Sequence, residues 1–151
     1  MAGLCGAVDP RLAVGDVVVA SELRCLGAPA RRIETERMCR ALEMQGIRAQ
    51  VGCILSVDHV VRGPEREVLF AEGAAAVDME SGWLAEAAAG RPLGVVRVVL
   101  DAPAAELHPL SILQNGWRAL ASLRRLAPAF EVWASLACHR TGGDPSPRAL
   151  H

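Results

Sequence analysis

Lysine and tyrosine are absent from this sequence, and aromatic residues make up only 3% of it. All 16 basic residues are therefore arginines, a uniformity that reads as codon usage rather than phosphate recognition. Against 17 acidic residues they leave a formal net charge of −1, which gives no global drive toward nucleic acid. The five cysteines (Cys5, Cys25, Cys39, Cys53 and Cys138) are odd in number and never form a C-x-x-C pair. That pattern fits neither a disulfide framework nor a zinc site; no metal is expected, and a reducing, cytoplasmic compartment fits best. No uncharged apolar run approaches a membrane span. The opening MAGLCGAVDP has no basic leader, so no signal peptide is expected. Also missing is the polar lead-in with which most domains begin. GLCGAVDP reads instead like the inside of a fold.

What is present is one domain's worth of ordinary globular sequence: 151 residues, 52% hydrophobic and 22% charged. Charge is split along the chain. Residues 1–101 carry 11 Arg and 14 acids, and residues 102–151 carry 5 Arg and 3 acids, so the last third is mildly basic. After the Gly-rich opening, VGDVVVASEL predicts a strand from about Val17 to Ser21. In RRIETERMCRALEMQG, Thr35 is a candidate N-cap, Met38, Ala41 and Leu42 fall at helical spacing, and Gly46 is a stop. RAQVGCILSVDHVV predicts a second strand broken by Asp58 and His59. GPEREVLFAEG predicts a short helix begun by proline. AAAVD follows as a buried strand, then MESGWLAEAAAG as a helix ended by Gly90. PLGVVRVVLD is apolar almost throughout, as buried parallel strands are. A Pro-containing loop, APAAELHPL, leads to two helical segments, LSILQNGWRALASLRRLA and PAFEVWASLACHR. This alternation predicts an α/β fold with a mainly parallel or mixed sheet over residues 1–140, and a disordered tail over residues 141–151.

The stretch AAAVDMESGWLAEAA, residues 74–88, places Asp78, Met79, Glu80 and Ser81 at the junction of an apolar strand and an apolar helix. Taken locally, this is a helix N-terminus with acids facing the helix dipole. Asp101 before Ala-Pro taken locally opens a turn, and the Gly3–Gly6 pair is a turn motif. In an α/β sheet, however, ligands gather beyond the carboxyl ends of strands. Asp58-His59, Asp78-Met79-Glu80 and Asp101 all follow predicted strands, and the Gly-rich turn joins them, so four polar features are expected at one edge of the sheet.

Together these residues resemble the purine nucleoside phosphorylase and nucleosidase family, which includes methylthioadenosine/S-adenosylhomocysteine nucleosidase. GLCGAVDPRLAVGDVVVASEL is similar to that family's Gly-x-Ala-Gly segment and the Val-Gly-Asp strand after it. GAAAVDMESGWLAEAA resembles its Val-(Asp/Glu)-Met-Glu turn, and GVVRVVLD its Arg-x-x-Ser-Asp strand end. The likeness runs from Gly3 to about Leu126 in the family's order. Within the family, SVDHVV and the ending DAPAAELHPLSILQNGWRALASLRRLAPAF are most like the hopanoid-associated branch, the adenosylhopane nucleosidases.

The resemblance implies cleavage of the N-glycosidic bond of a purine nucleoside, a 5′-substituted adenosine, with release of adenine. It assigns Asp101 as the acid that serves the purine's ring nitrogen N7, at a buried strand end where desolvation favours the protonated carboxyl. It assigns Glu80 to the sugar hydroxyls and to the developing oxocarbenium charge, with Met79 packed on the ribose. Val60 and Val61 take positions that pack against the base and offer it backbone hydrogen bonds. Gly3, Cys5 and Gly6 lie near the nucleophile, water or a phosphate co-substrate, where backbone N–H groups can face an anion. No other cofactor is implied. Assembly of several copies is implied, as is peripheral contact with a membrane surface if the substrate is hopanoid.

The chain departs from the pattern at Leu100, where the family has Ser, at Cys5, which replaces Ala, and near Val60, where an aromatic residue is absent. The likeness also begins inside the family pattern. The upstream strands of the fold, and the residue there that activates water or holds part of the phosphate, are therefore expected to be missing, leaving a sheet edge uncovered. An alternative reading is accordingly a non-catalytic member that binds a purine or an apolar partner. A third is a membrane-surface module built on Trp117, Leu120, Leu123 and Leu126 beside Arg118, Arg124 and Arg125. A helix packed on the core explains the same stripe.

Overall fold

A computed structural model describes residues 1–25, 27–88, 90–103 and 109–138. Its strands are β1 (Ala2–Ala7), β2 (Val17–Cys25), β3 (Ala28–Arg32), β4 (Gln50–Ser56), β5 (Ala74–Asp78) and β6 (Val96–Asp101). The helices are α1 (Glu36–Met44), α2 (Pro64–Ala71), α3 (Ser81–Glu86), α4 (Pro109–Arg125) and α5 (Ala127–Cys138). The expected tail over 141–151 and the centre of the expected APAAELHPL loop lie outside the described residues. The rest is the mixed, helix-flanked sheet that the alternating pattern predicts.

The sheet runs in the order β3-β2-β4-β5-β1-β6, and β6 pairs again with β2. Five strands therefore close on one another, with β3 attached outside to β2. The pairs β2–β4, β4–β5 and β1–β6 are parallel, whereas β1–β5, β2–β6 and β2–β3 are antiparallel. β1 lies between β5 and β6, so the opening of the chain is interior, as GLCGAVDP suggests. β1 pairs with β5 only through Gly6 and Ala7. β6 turns back onto β2 through Val17↔Val98 and Val19↔Val96, and this takes up the hydrogen-bonding groups that an edge would leave free.

Strand alternation sorts the side chains into layers. Cys5, Val18, Ile54, Ala76 and Val99, one from each strand of the closed set, meet in one apolar cluster. Val17, Val19, Val96 and Val98 point the other way, against Met38, Ala41 and Leu42 of α1, Ala119 of α4, Ala129 of α5 and Leu126 between those two helices. A smaller cluster joins Val8, Val57, Val61, Ala74 and Val77 beneath Leu69 of α2. On α4 the apolar stripe divides: Ala119 is buried, Leu123 is half-buried and Trp117 is 68% exposed, while Leu126, in the turn after the helix, is buried. Among the described residues no helix is long and apolar enough to cross a membrane.

Local expectations are refined in three places. β2 runs on to Cys25 because β3 pairs with its far half, a strand that the Pro29-containing sequence conceals and that sits where proline is tolerated, at an edge. Thr35 occupies the N-cap position of α1 without a side-chain cap bond. Glu34 Oε1 accepts the Arg37 N–H instead, at 3.2 Å. α3 begins at Ser81 and ends at Glu86, shorter than the sequence suggests, because Met79 and Glu80 are held out of the helix by the strand end before it.

Leu42 anchors α1 with no exposed surface, while Met44, two residues on, is 63% exposed. Leu42→Ala should lower the unfolding free energy by about 2–5 kcal/mol in urea titrations. Met44→Ala should change it by about 0.5 kcal/mol or less.

Candidate active site

The junction of β5 and α3 is organised by a buried ion pair. Asp78 ends β5, and its Oδ2 lies 2.7 Å from Arg97 Nε on β6, both side chains being 1% exposed. The guanidinium also donates to Ser81 Oγ from Nε at 3.0 Å and from Nη2 at 2.7 Å. Asp78 Oδ1 accepts from Ser56 Oγ at 2.6 Å, from the Ser81 N–H at 3.1 Å and from the Glu80 N–H at 3.2 Å. Asp78 thus satisfies the helix entrance as expected, and in addition neutralises an arginine. Ser56 Oγ closes the network by accepting the Gly82 N–H at 2.7 Å. Removing one partner of such a pair leaves an uncompensated buried charge, at a cost of about 3–5 kcal/mol.

The network aims the residues that follow. Glu80 leaves it with its side chain 65% exposed and Oε2 at 3.4 Å from Arg97 Nη1. Met79 projects beside it, half exposed. Both line a cavity of about 410 Å³, within the range of small-molecule sites. Asp101, buried at the end of β6, lines the same cavity, as do Val60 and Val61 from the segment after β4. Gly3, Cys5 and Gly6 line it from β1. All eight residues singled out from the sequence therefore face one space. His59 and Leu100 border it too.

The strand ends meet there in a way the sequence does not foretell. They do not share one edge of a parallel sheet. β4 and β5 run one way and β1 and β6 the other, and the two sets touch only where Gly6 faces Val77 and Ala7 faces Ala76. Carboxyl ends from opposed directions thus converge on the cavity. The expected Gly3–Gly6 turn is part of strand β1, for a steric reason. A Cβ on Gly3 would fall 1.7 Å from Arg97 Nη1, and one on Gly6 would fall 2.9 Å from Asp101 Oδ1. The glycines make room for the two polar side chains of β6.

Burial and the nearby carboxylates push the Cys5 thiol well above its ordinary range, so it enters the cavity as a neutral group. At the rim, His59 bonds Asp58 through Nδ1 and Glu65 through Nε2, both at 2.8 Å. Those two acceptors, Asp58 first, raise its pKa above 6.5. The residue that sequence reasoning misses is Arg66 of α2. It is buried, borders the cavity and is ion-paired with Asp101. No local signal marks it, because its acceptors lie on β1 and β6, far away in sequence. Among the described residues no cluster of three or more His, Cys, Asp or Glu is arranged to hold a metal ion.

Comparison with known proteins places this geometry in context. A family profile described as the phosphorylase superfamily matches residues 1–130. No curated protein matches the chain significantly. Among solved structures, S-adenosylhomocysteine nucleosidase from Streptococcus pyogenes, in complex with 5-methylthiotubericidin, is similar at 26% identity and a TM-score of 0.68. The match covers 89% of this chain and 66% of that one. The 5′-methylthioadenosine/S-adenosylhomocysteine nucleosidase of Colwellia psychrerythraea 34H, in complex with adenine, gives 21% identity and a TM-score of 0.69, covering 89% and 65%. Futalosine hydrolase of Helicobacter pylori gives 20% and 0.70, covering 89% and 66%. The last two identities speak for the fold alone. The chain spans about 66% of the length of the structures it matches.

Two outcomes follow from the geometry. Gly3→Ala should destabilise the protein by roughly 1–3 kcal/mol through overpacking against Arg97, read as a lower urea midpoint. An unchanged midpoint would mean that the guanidinium has other room. His59, whose protonated form both carboxylates favour, should titrate by NMR with a midpoint above 6.5, and Glu65→Gln should lower that midpoint. Because the shift is upward, the clasp contributes below the unfolded-state value and is lost as pH rises through the folded one. A midpoint at or below 6.5 would contradict the clasp.

Proposed function

The chain belongs to the phosphorylase superfamily, and on that premise we propose that it cleaves the N-glycosidic bond of a purine nucleoside. The observation that carries this reading is a single apolar cavity lined by Asp101 and Glu80 from different parts of the sheet, beside Asp78, which is committed to Arg97. Breaking the bond between the sugar C1′ and the purine leaves an electron pair on the base and positive charge on the sugar. Asp101 gives its proton to the purine N7 as that pair arrives, which turns a poor leaving anion into a neutral base. Glu80 binds the ribose hydroxyls and stabilises the oxocarbenium charge, with Met79 against the ring. Val60 and Val61 pack on the purine. Water, or an oxygen of phosphate, completes the reaction at C1′ from the side of Gly3, Cys5 and Gly6.

The substrate within this proposal is a 5′-substituted adenosine, and adenine is the product. The likeness to nucleosidases, one of them in complex with adenine, supports that choice. An adenosylhopane-type substrate is the finer proposal. It is supported by the likeness of SVDHVV and of the stretch after Asp101 to the hopanoid-associated branch. Leu4, Val60 and Met79 also stand partly exposed around the cavity, an apolar rim suited to an apolar 5′ group. The same rim offers a surface to a second copy of the chain, and the exposed Trp117 and Leu120 beside Arg118 offer one to a membrane.

The test is release of adenine from adenosine, methylthioadenosine and an adenosylhopane-like substrate, with and without phosphate. Asp101→Asn and Glu80→Gln should each lower the rate by on the order of 10²-fold or more. Dependence on phosphate would mark a phosphorylase, and its absence a hydrolase. No release from any substrate, or full activity in Asp101→Asn, would overturn the reading.

A further inference from the structure

Arg66 has no part in the reaction just described, yet it is in direct contact with the proposed acid. Its side chain is 3% exposed and that of Asp101 is 7% exposed. Nη2 donates to Asp101 Oδ2, and Nη1 donates to the carbonyl of Ala7 on β1. The guanidinium is therefore tied to backbone as well as to the carboxylate. Its charge is fixed in place rather than carried on a mobile arm.

On the other side of Asp101, Oδ1 faces the space left by the missing Cβ of Gly6, where the cavity begins. The two oxygens of one carboxyl group thus have different surroundings. The residue before Asp101 is Leu100, which has no hydrogen-bonding side chain to share in holding it. We propose that Arg66 is the positioning residue of Asp101: it fixes Oδ2 and leaves Oδ1 to meet the base. This rests on the reading of Asp101 as the acid. Its consequence is that the base meets one defined oxygen of the carboxyl group, so that loss of Arg66 costs turnover more than binding.

Among the described residues, the other ionisable groups lining the cavity are engaged elsewhere. Cys5 on β1 is held as a neutral thiol. Asp78 and Arg97 are committed to each other, and Glu80 lies beside Arg97 Nη1. His59 is engaged by Asp58 and Glu65 at the rim. The described arginines of α4, Arg118, Arg124 and Arg125, are exposed.

The experiment follows the Asp101 side-chain carboxyl by ¹³C NMR, assigned by its loss in Asp101→Asn, in the wild type, Arg66→Gln and Arg66→Lys. At one fixed pH the signal should move in Arg66→Gln, which no longer holds Oδ2, and should stay nearer its wild-type position in Arg66→Lys. Arg66→Met replaces Gln if the buried amide prevents folding. In base-release assays Arg66→Gln should lower kcat by about tenfold or more and change KM less, with Lys restoring part of the loss. An unmoved Asp101 signal in the uncharged variant would overturn the proposal, whatever the activity. A moved signal in a protein that releases no purine would uphold the positioning role and sink the glycosidic reading.

Discussion

An arginine buried among strands has to be neutralised where it lies, and most of the cavity follows from meeting that demand. Arg97 is 1% exposed. Its counter-ion Asp78 must sit at the end of β5, and Asp78 is in turn oriented by Ser56 at the end of β4. Ser56 accepts from Gly82 and Asp78 from Ser81, so the first turn of α3 is fixed by the same group. Gly3 on β1 yields the space the guanidinium occupies. One charge thereby sets the relative positions of β1, β4, β5, β6 and α3. Such pairs add little net stability. What this one supplies is a fixed direction for Met79 and Glu80.

The second constraint is the direction of the strands. Had all of them run parallel, the polar strand ends would lie along one edge of an open sheet. Instead two parallel groups meet head to head at Gly6 and Val77, and β6 closes the set by pairing with β2. The result is a recess walled by strand ends on several sides, in which an apolar lining is broken by a few polar groups. Those groups are Asp78, Glu80 and Asp101, with Arg66 and His59 near them. This is the composition by which small-molecule sites orient a ligand while burying most of it. The chain belongs to the phosphorylase superfamily and shares its fold with nucleosidases.

By itself the sequence determined the elements and the candidate residues. Period-two and helical patterns locate β2, β4, β5, β6 and every described helix, since burying one face forces that periodicity on the chain. The unusual polar residues after strands are legible for the same reason. An acid where an apolar run ends has to be satisfied by something, and Asp78, Glu80 and Asp101 stand out on that ground. The tertiary structure alone decided what satisfies each. β3 is hidden because an edge strand need not alternate. β1 looks like a turn because glycines chosen for close approach resemble glycines chosen for flexibility. Arg66 is invisible because the carboxylate it meets lies 35 residues on and joins it only through the closure of the sheet. Periodicity is a local property of a strand or helix, whereas the pairing of charges depends on which distant segments the fold brings together.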